Sequence, residues 1–325
     1  MPQSDQRLNT NPPLVSVIIP VYNTAAYISE ALESVFAQSF KDLEVIVVND
    51  GSPDRERLEL ALSPYMSRIV YLDQENRGPS AARNLAIRRA QGDMLAFLDS
   101  DDTWLPEYLS EQVKFLQANP SLDMVYCDEL LVGYPDPSIK TFMQVCPSTG
   151  PVTFESILLE RTQLATSATV VRRQNVIAAG LFDEQFRCAE DHDLWLRIAH
   201  RGGKVAYHRK VLVRRLVRSD SLGSPAGSLI AGEIEVLKKL RQQLALTPEA
   251  SSLLSEKLRQ AEALFCTLQG KTSLLAGNWQ EAYTFFSKAN SSSPSWKLRI
   301  VLASLRIAPR LTVRASRILY RQRRV

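Results

Sequence analysis

MLAFLDSDD, Met94 to Asp102, is an apolar run of five residues that passes straight into three carboxylates and a serine. A short run without polar interruption reads as a strand buried on both faces. The acids then fall at its carboxyl end. Upstream, LVSVIIP (Leu14 to Pro20), LEVIVV (Leu43 to Val48) and RIVYL (Arg68 to Leu72) read as strands, and downstream so does DMVYC (Asp123 to Cys127). Helical stretches separate them. One carries Ile28, Leu32, Val35 and Phe36 on a single face, and a second runs to about Met66. The turn Asn76-Arg77-Gly78-Pro79-Ser80 opens AARNLAIRRAQ, and Pro106 opens another helix. Strands alternating with helices predict right-handed βαβ units and an α/β fold with a mostly parallel sheet flanked by helices.

A chain of 325 residues has room for about two domains on a length prior of ~150 residues each. At 45% hydrophobic and 23% charged it supports an ordinary packed core, which excludes global disorder. The net charge of +4 averages two unlike parts. Residues 1–225 carry a net of −6, and residues 226–325, with 16 basic and 6 acidic side chains, carry +10. No apolar stretch reaches the ~20 residues that cross a bilayer, and residues 1–13 form a polar tail without the apolar core of a secretory leader. Cys127, Cys146, Cys188 and Cys266 are scattered without ligand spacing, which fits a reducing cytoplasm. His192, His200 and His208 form no metal motif and read as ordinary polar residues.

In open α/β sheets ligands bind outside the carboxyl ends of the strands. Asp50, Asp99 and Asp101 follow strand ends and should converge on one crevice. The first strand leads into Pro-Val-Tyr-Asn-Thr rather than GxGxxG, and GxxxxGK[ST] is absent, against a dinucleotide oxidoreductase or a P-loop ATPase. A carboxylate-lined crevice repels phosphate unless a hard cation bridges the two, so Mg²⁺ or Mn²⁺ is expected. The plainer alternative, a polar turn with a helix cap, does not account for a second strand-end acid facing the first. Further on, Glu190-Asp191 precede Leu194, Trp195, Leu196 and Ile198 and so open a helix. Acids there favour the helix dipole. One is enough for a cap, whereas Glu190, Asp191 and Asp193 cluster.

SVIIPVYN, VVNDGS, NRGPSAARN, FLDSDD and AEDHDLWLR, in this order, resemble the family 2 glycosyltransferases of GT-A fold over about residues 14–222. The resemblance implies a Rossmann-like catalytic domain (residues 14–225). It also implies inverting transfer of a sugar from a nucleoside diphosphate donor, a UDP-sugar above all, to an acceptor hydroxyl. By it, Pro20, Tyr22, Asn23 and Asp50 line the nucleotide pocket, and Arg83 lies near the nucleotide or diphosphate. Asp99 and Asp101 match the DxD element, Asp101 as the direct metal ligand and Asp99 nearer the ribose. Ser100 between them and Glu190 join the substrate-binding set, Asp102 is a supporting or capping carboxylate, and Asp191 is the general base. Some relatives carry a metal-site His where this chain has Arg218, which is expected either to leave that position to water or to pair with the diphosphate itself. The QxxRW of processive polymerases is absent, so one sugar is added per encounter.

Residues 128–188 are left as the acceptor wall. From Leu229 the apolar residues fall at helical spacing, predicting an all-α carboxyl-terminal region. Within residues 226–294, Gly270, Gly277, Trp279, Ala282, Phe286, Ala289 and Pro294 fit one tetratricopeptide-like repeat or a plain helical hairpin. Residues 295–325 end in a helix whose Arg310, Arg314, Arg317, Arg321 and Arg324 share one face beside Leu311, Ala315, Ile318 and Leu319. Residues 296–325 hold nine basic side chains and no acids. This reads as an anionic membrane contact on the cytoplasmic side, against a solvated tail; without aromatic interleaving it does not read as a nucleic-acid site. The acceptor is then expected in cell-surface polysaccharide or lipid-linked glycan assembly. A sugar nucleotidyltransferase and a non-catalytic scaffold are the rival classes.

Overall fold

The computed structural model describes residues 12–218 and 226–322. Most of the polar amino-terminal tail and Arg324 lie outside the described residues, as do the side chains of Leu319 and Arg321. The chain divides into two compact units, Met1–Ser219 and Asp220–Val325.

The first unit runs β1 (Val15–Val21), α1 (Ile28–Phe36), β2 (Leu43–Asp50), α2 (Arg55–Leu62), β3 (Val70–Gln74), α3 (Pro79–Arg89), β4 (Met94–Phe97) and β5 (Thr103–Trp104). It continues through α4 (Tyr108–Ala118), β6 (Met124–Val132), α5 (Phe142–Val145), α6 (Phe154–Leu158), β7 (Thr169–Arg172), α7 (Arg173–Ala178), α8 (Glu190–His200) and β8 (Val205–Leu216). The strands form one sheet in the order β3-β2-β1-β4-β7-β6-β8-β5. β1 lies parallel between β2 and β4, and Val15, Val17, Ile18, Ile19 and Val21 are all buried. The β-branched run therefore forms an interior strand buried on both faces. β7 runs antiparallel to β4 and β6, and β5 antiparallel to β8, so the sheet is mixed.

Two local differences from the sequence reading matter for the site. Thr103–Trp104, immediately after the DSDD run, forms a short edge strand against β8. β6 extends beyond Cys127 to Val132, pairing parallel with β8 through register shifts at Tyr126/Asp128 and Asp128/Glu129. The acids Asp128 and Glu129 made the strand look finished. The register shifts let it continue and re-aim the side chains.

The second unit is helical: α9 (Ala226–Gln243), α10 (Pro248–Ala276), α11 (Trp279–Ser292), α12 (Trp296–Ile307) and α13 (Pro309–Gln322). Thr247 caps α10, its hydroxyl accepting from Ala250 N, with Pro248 in the first helical position. A Cβ on Gly270 would stand 2.7 Å from the Phe286 ring, so the absence of a side chain there is what lets α10 and α11 approach. Leu274, Ala282, Phe286 and Leu305 form this unit's buried cluster.

Candidate active site

Asp50 ends β2 and is buried. Its Oδ1 accepts from Gln74 Nε2 (2.7 Å) and Arg77 N (2.9 Å), and its Oδ2 accepts from Gly78 N (2.8 Å). These bonds fix the loop that opens α3. The nucleotide-pocket candidates Pro20, Tyr22 and Asn23 leave β1 beside it. Tyr22 is exposed, and Asn23, at φ +55°, donates its backbone N–H to Ser52 Oγ. Thr24 Oγ1 and Ser100 Oγ, 2.7 Å apart, tie this turn to the DSDD turn. Pro20, Tyr22, Asn23, Asp50 and Ser100 thus fall in one neighbourhood at the strand ends.

Arg83 proves to be the hinge of the arrangement. It is buried in α3 and donates from Nη2 to Asp99 Oδ1 (2.8 Å) and from Nη1 to Glu190 Oε1 (2.6 Å). Burial works against its charge, but Asp99 and Glu190 outweigh it and hold the guanidinium more firmly protonated than usual. Burial raises the Glu190 carboxyl, Arg83 opposes this, and Asp191 adds to it. Arg218 donates from Nη1 to Asp101 Oδ2 at 3.3 Å and stacks on Tyr27. Burial and then Asp99 raise the Asp101 carboxyl, with Arg218 pulling the other way.

Asp102 has a bracing role. Its Oδ2 accepts from Ser167 Oγ (2.6 Å) and its Oδ1 from Leu216 N (3.0 Å), pinning β8 to the turn. Beneath it lies a residue the sequence reading passed over. Glu129 on β6 is wholly buried, 3.4 Å from Arg215 Nη1 through Oε2, while Oε1 has no hydrogen-bond partner. Burial pushes its carboxyl up to about 7 against the pull of Arg215, with Asp99 adding to the rise. Arg215 also feels Asp102, Asp99 and Asp191. An Asp-Glu pair inside an otherwise apolar strand was the available signal.

Between pH 4.5 and 7 the folded chain holds a proton on Glu129 that the unfolded chain has lost, so stability falls as pH rises through that window. The shift corresponds to about 3 kcal/mol at its full extent. Glu129→Gln carries no such charge. Its melting temperature relative to wild type is therefore expected to rise by several degrees between pH 5 and pH 8, read by calorimetry without divalent cation. A pH-independent difference would contradict this assignment.

The first turn of α8 holds three acids with three separate environments. Asp193 is buried and paired with Arg197, which also donates to the carbonyls of Ala179 and Leu181. Glu190 is taken by Arg83. Asp191 Oδ2 accepts from Thr166 Oγ1 (2.7 Å) and Oδ1 from His192 N (2.8 Å). The cluster of three is thus not one catalytic feature: Asp193 serves packing. Ala189 precedes the turn in the left-handed region (φ +60°), an uncommon conformation for a residue with a Cβ.

The DSDD turn, Arg83 and the first turn of α8 therefore meet. Asp99, Asp101, Asp102, Glu129, Glu190 and Asp191 stand here with Arg83, Arg215 and Arg218 among them. No group of three or more His, Cys, Asp or Glu side chains among the described residues converges on a common point. Asp99 and Asp101 nonetheless suit a hard dication, which takes one or two protein carboxylates and fills its other positions with phosphate oxygens and water. Burial first and then Asp99 raise the Asp101 carboxyl, and a bound cation would oppose both.

Residues 16–130 match the family described as Glycosyl transferase family 2. An uncharacterized glycosyltransferase of Rickettsia typhi is 33% identical over 212 residues, 64% of this chain and 65% of that protein. One of Rickettsia felis is 29% identical over 221 residues, covering 67% of this chain and 36% of that protein. The chain thus spans less than two thirds of either relative. Among solved structures, Staphylococcus aureus TarS 1-349 in complex with UDP-GlcNAc superposes with a TM-score of 0.62 at 21% identity, covering 95% of this chain and 91% of that one. The mannosyltransferase PcManGT from Pyrobaculum calidifontis, in complex with GDP-Man and Mn²⁺, gives 0.60 at 21%, covering 95% and 87%. These likenesses identify the fold as GT-A.

Proposed function

Since the chain belongs to glycosyl transferase family 2 through its first unit, we propose that it is a metal-assisted, inverting transferase. It moves one sugar per encounter from a nucleoside diphosphate sugar to an acceptor hydroxyl. The observation that carries this reading is the Arg83 bridge, which holds the DxD acid Asp99 and the helix start bearing Asp191 in one crevice. Asp50, Tyr22 and Asn23 are the donor's nucleotide side. Arg218, beside Asp101, is placed to meet the diphosphate. A UDP-sugar is the first donor to test, in keeping with the UDP-GlcNAc held by the TarS structure.

Asp99 and Asp101 would hold Mg²⁺ or Mn²⁺, which supplies charge stabilisation for the departing nucleoside diphosphate. The protein's own share is acid–base work and positioning. An acceptor hydroxyl is a weak nucleophile, and Asp191 receives its proton as the bond to the anomeric carbon forms. Thr166 and His192 N–H orient that carboxylate. Attack from the side opposite the leaving diphosphate inverts the anomeric carbon. The acceptor side is a polysaccharide or lipid-linked glycan. The arginine-bearing helix α13 is then an anionic membrane contact, placing the protein peripherally on the cytoplasmic face.

The test is a panel of UDP-, GDP- and dTDP-sugars followed by thermal shift and donor hydrolysis, with and without Mn²⁺. One nucleotide class is expected to raise the melting temperature only with the cation, and Asp101→Asn to abolish that increment. A panel without any response, or an increment that survives in Asp101→Asn, rejects the reading.

A further inference from the structure

α12 and α13 pack one face inward and leave another apolar face outward. Leu305 is buried and Leu298, Val301, Leu302 and Val313 pack against the cluster around Leu274 and Phe286. On the other side of α12, Trp296 (68% exposed), Ile300 (59%) and Ile307 (84%) stand in solvent with Ala303 between them. Spacings of four, three and four place these four on a single stripe. Leu311, Ala315 and Ile318 form a similar exposed stripe on α13. Five of the twelve large exposed hydrophobic side chains among the described residues therefore fall within residues 296–318. Nothing in the packing of this unit requires them outside.

Cations border the stripes: Lys297, Arg299 and Arg306 on α12, and Arg310 and Arg314 on α13, all exposed. Arg317 is used differently. Its Nε donates to Leu275 O at the end of α10, so this exposed arginine also ties α13 to its neighbour. A cation near the last carbonyls of a helix also suits the dipole.

The occupant follows from the charge. A second copy of this face would set one acid-free basic surface against another. Nucleic acid would satisfy the cations but leave a Trp, three Ile and a Leu uncovered. An anionic bilayer surface meets both, taking apolar side chains at the headgroup boundary and cations at its phosphates. Trp296 suits that boundary, where Trp side chains concentrate. We infer that α12 and α13 together form a monotopic membrane-insertion face, with Trp296, Ile300 and Ile307 entering the headgroup region of anionic phospholipid. This rests on the reading of α13 as a membrane contact. It adds that α12 contributes, and that binding needs insertion as well as charge, in line with the two signals stable anchoring takes.

The test uses the full chain with vesicles of phosphatidylcholine alone or with 30% phosphatidylglycerol. The variants are Ile300→Ser/Ile307→Ser, Arg310→Gln/Arg314→Gln and Trp296→Phe. Exposed positions allow folding to be verified by unchanged melting temperature. Expected is sedimentation with the anionic vesicles only, a tenfold or greater loss in either double variant, and quenching by brominated lipid that disappears in Trp296→Phe. Loss in the arginine variant alone, with no Trp296 quenching, would overturn insertion while leaving the charge contact standing. No sedimentation with either vesicle would overturn both. Self-association that Ile300→Ser/Ile307→Ser abolishes, without vesicle binding, would assign the face to a second copy.

Discussion

Asp191→Asn is expected to lower the turnover number for sugar transfer by about 10²- to 10⁴-fold, the usual contribution of a positioned general base. The replacement keeps size and an oxygen that can accept from Thr166 or His192 N–H, so the turn at the start of α8 should survive. Donor affinity and melting temperature should therefore stay near wild type. Asparagine has too little basicity to take the acceptor's proton, and the loss should fall on the turnover number. Initial rates at saturating donor, with donor binding measured separately, check this. If Asp191 were only a dipole-favouring residue, the outcome would reverse: a loss of ~0.3–1 kcal/mol in stability with transfer largely intact.

Arg83→Met is the second large effect and falls on the fold before the reaction. The substitution removes the buried cation between Asp99 and Glu190, leaving Glu190 nearly buried, unpaired and beside Asp191. Breaking a buried pair on one side costs about 3–5 kcal/mol. For a unit of this size that lowers the melting temperature by roughly 6–20 °C. The effect should shrink toward low pH, where Glu190, already raised by burial, takes up a proton and no longer needs a partner. Adding Glu190→Gln to Arg83→Met should recover much of the loss at pH 8, giving a coupling between the two sites. A single variant as stable as wild type at pH 8 would mean that the bridge contributes nothing to the fold.

The parallel half of the sheet could be read from sequence because its strands are uninterrupted β-branched runs and its acids follow directly. The strand-end positions of Asp50, Asp99 and Asp101 are legible for the same reason. What the carboxylates bond to is not. The sequence leaves Arg83 without visible partners, because the two carboxylates it bonds lie 16 and 107 positions away. Glu129 and Arg215 escaped because register shifts between β6 and β8 place them, and such shifts leave no periodic trace. Asp193 was grouped with its neighbours by proximity in sequence, while the helix turns it toward Arg197. Asp191 reads as a base only by resemblance. Its spacing alone is equally that of a helix cap. On α13, an even arginine spacing gives no hint that the exposed Arg317 also donates to Leu275 O of α10.

The bracing of Asp102 by the backbone of Leu216, 114 residues later, and of Arg83 by Glu190, 107 later, also bears on the order in which the chain is made. A nascent polypeptide that has just delivered the DSDD turn already has β1, β2, β3 and Asp50's loop in hand, yet neither Ser167 nor Leu216, the partners of the Asp102 carboxylate. Chains emerge amino end first, and a domain folds as a unit. The crevice can therefore be completed only after more than a hundred further residues have been made, once β8 is present. A translation product stopped short of residue 216 would own Asp50, Asp99 and Asp101 and still lack the strand that braces Asp102.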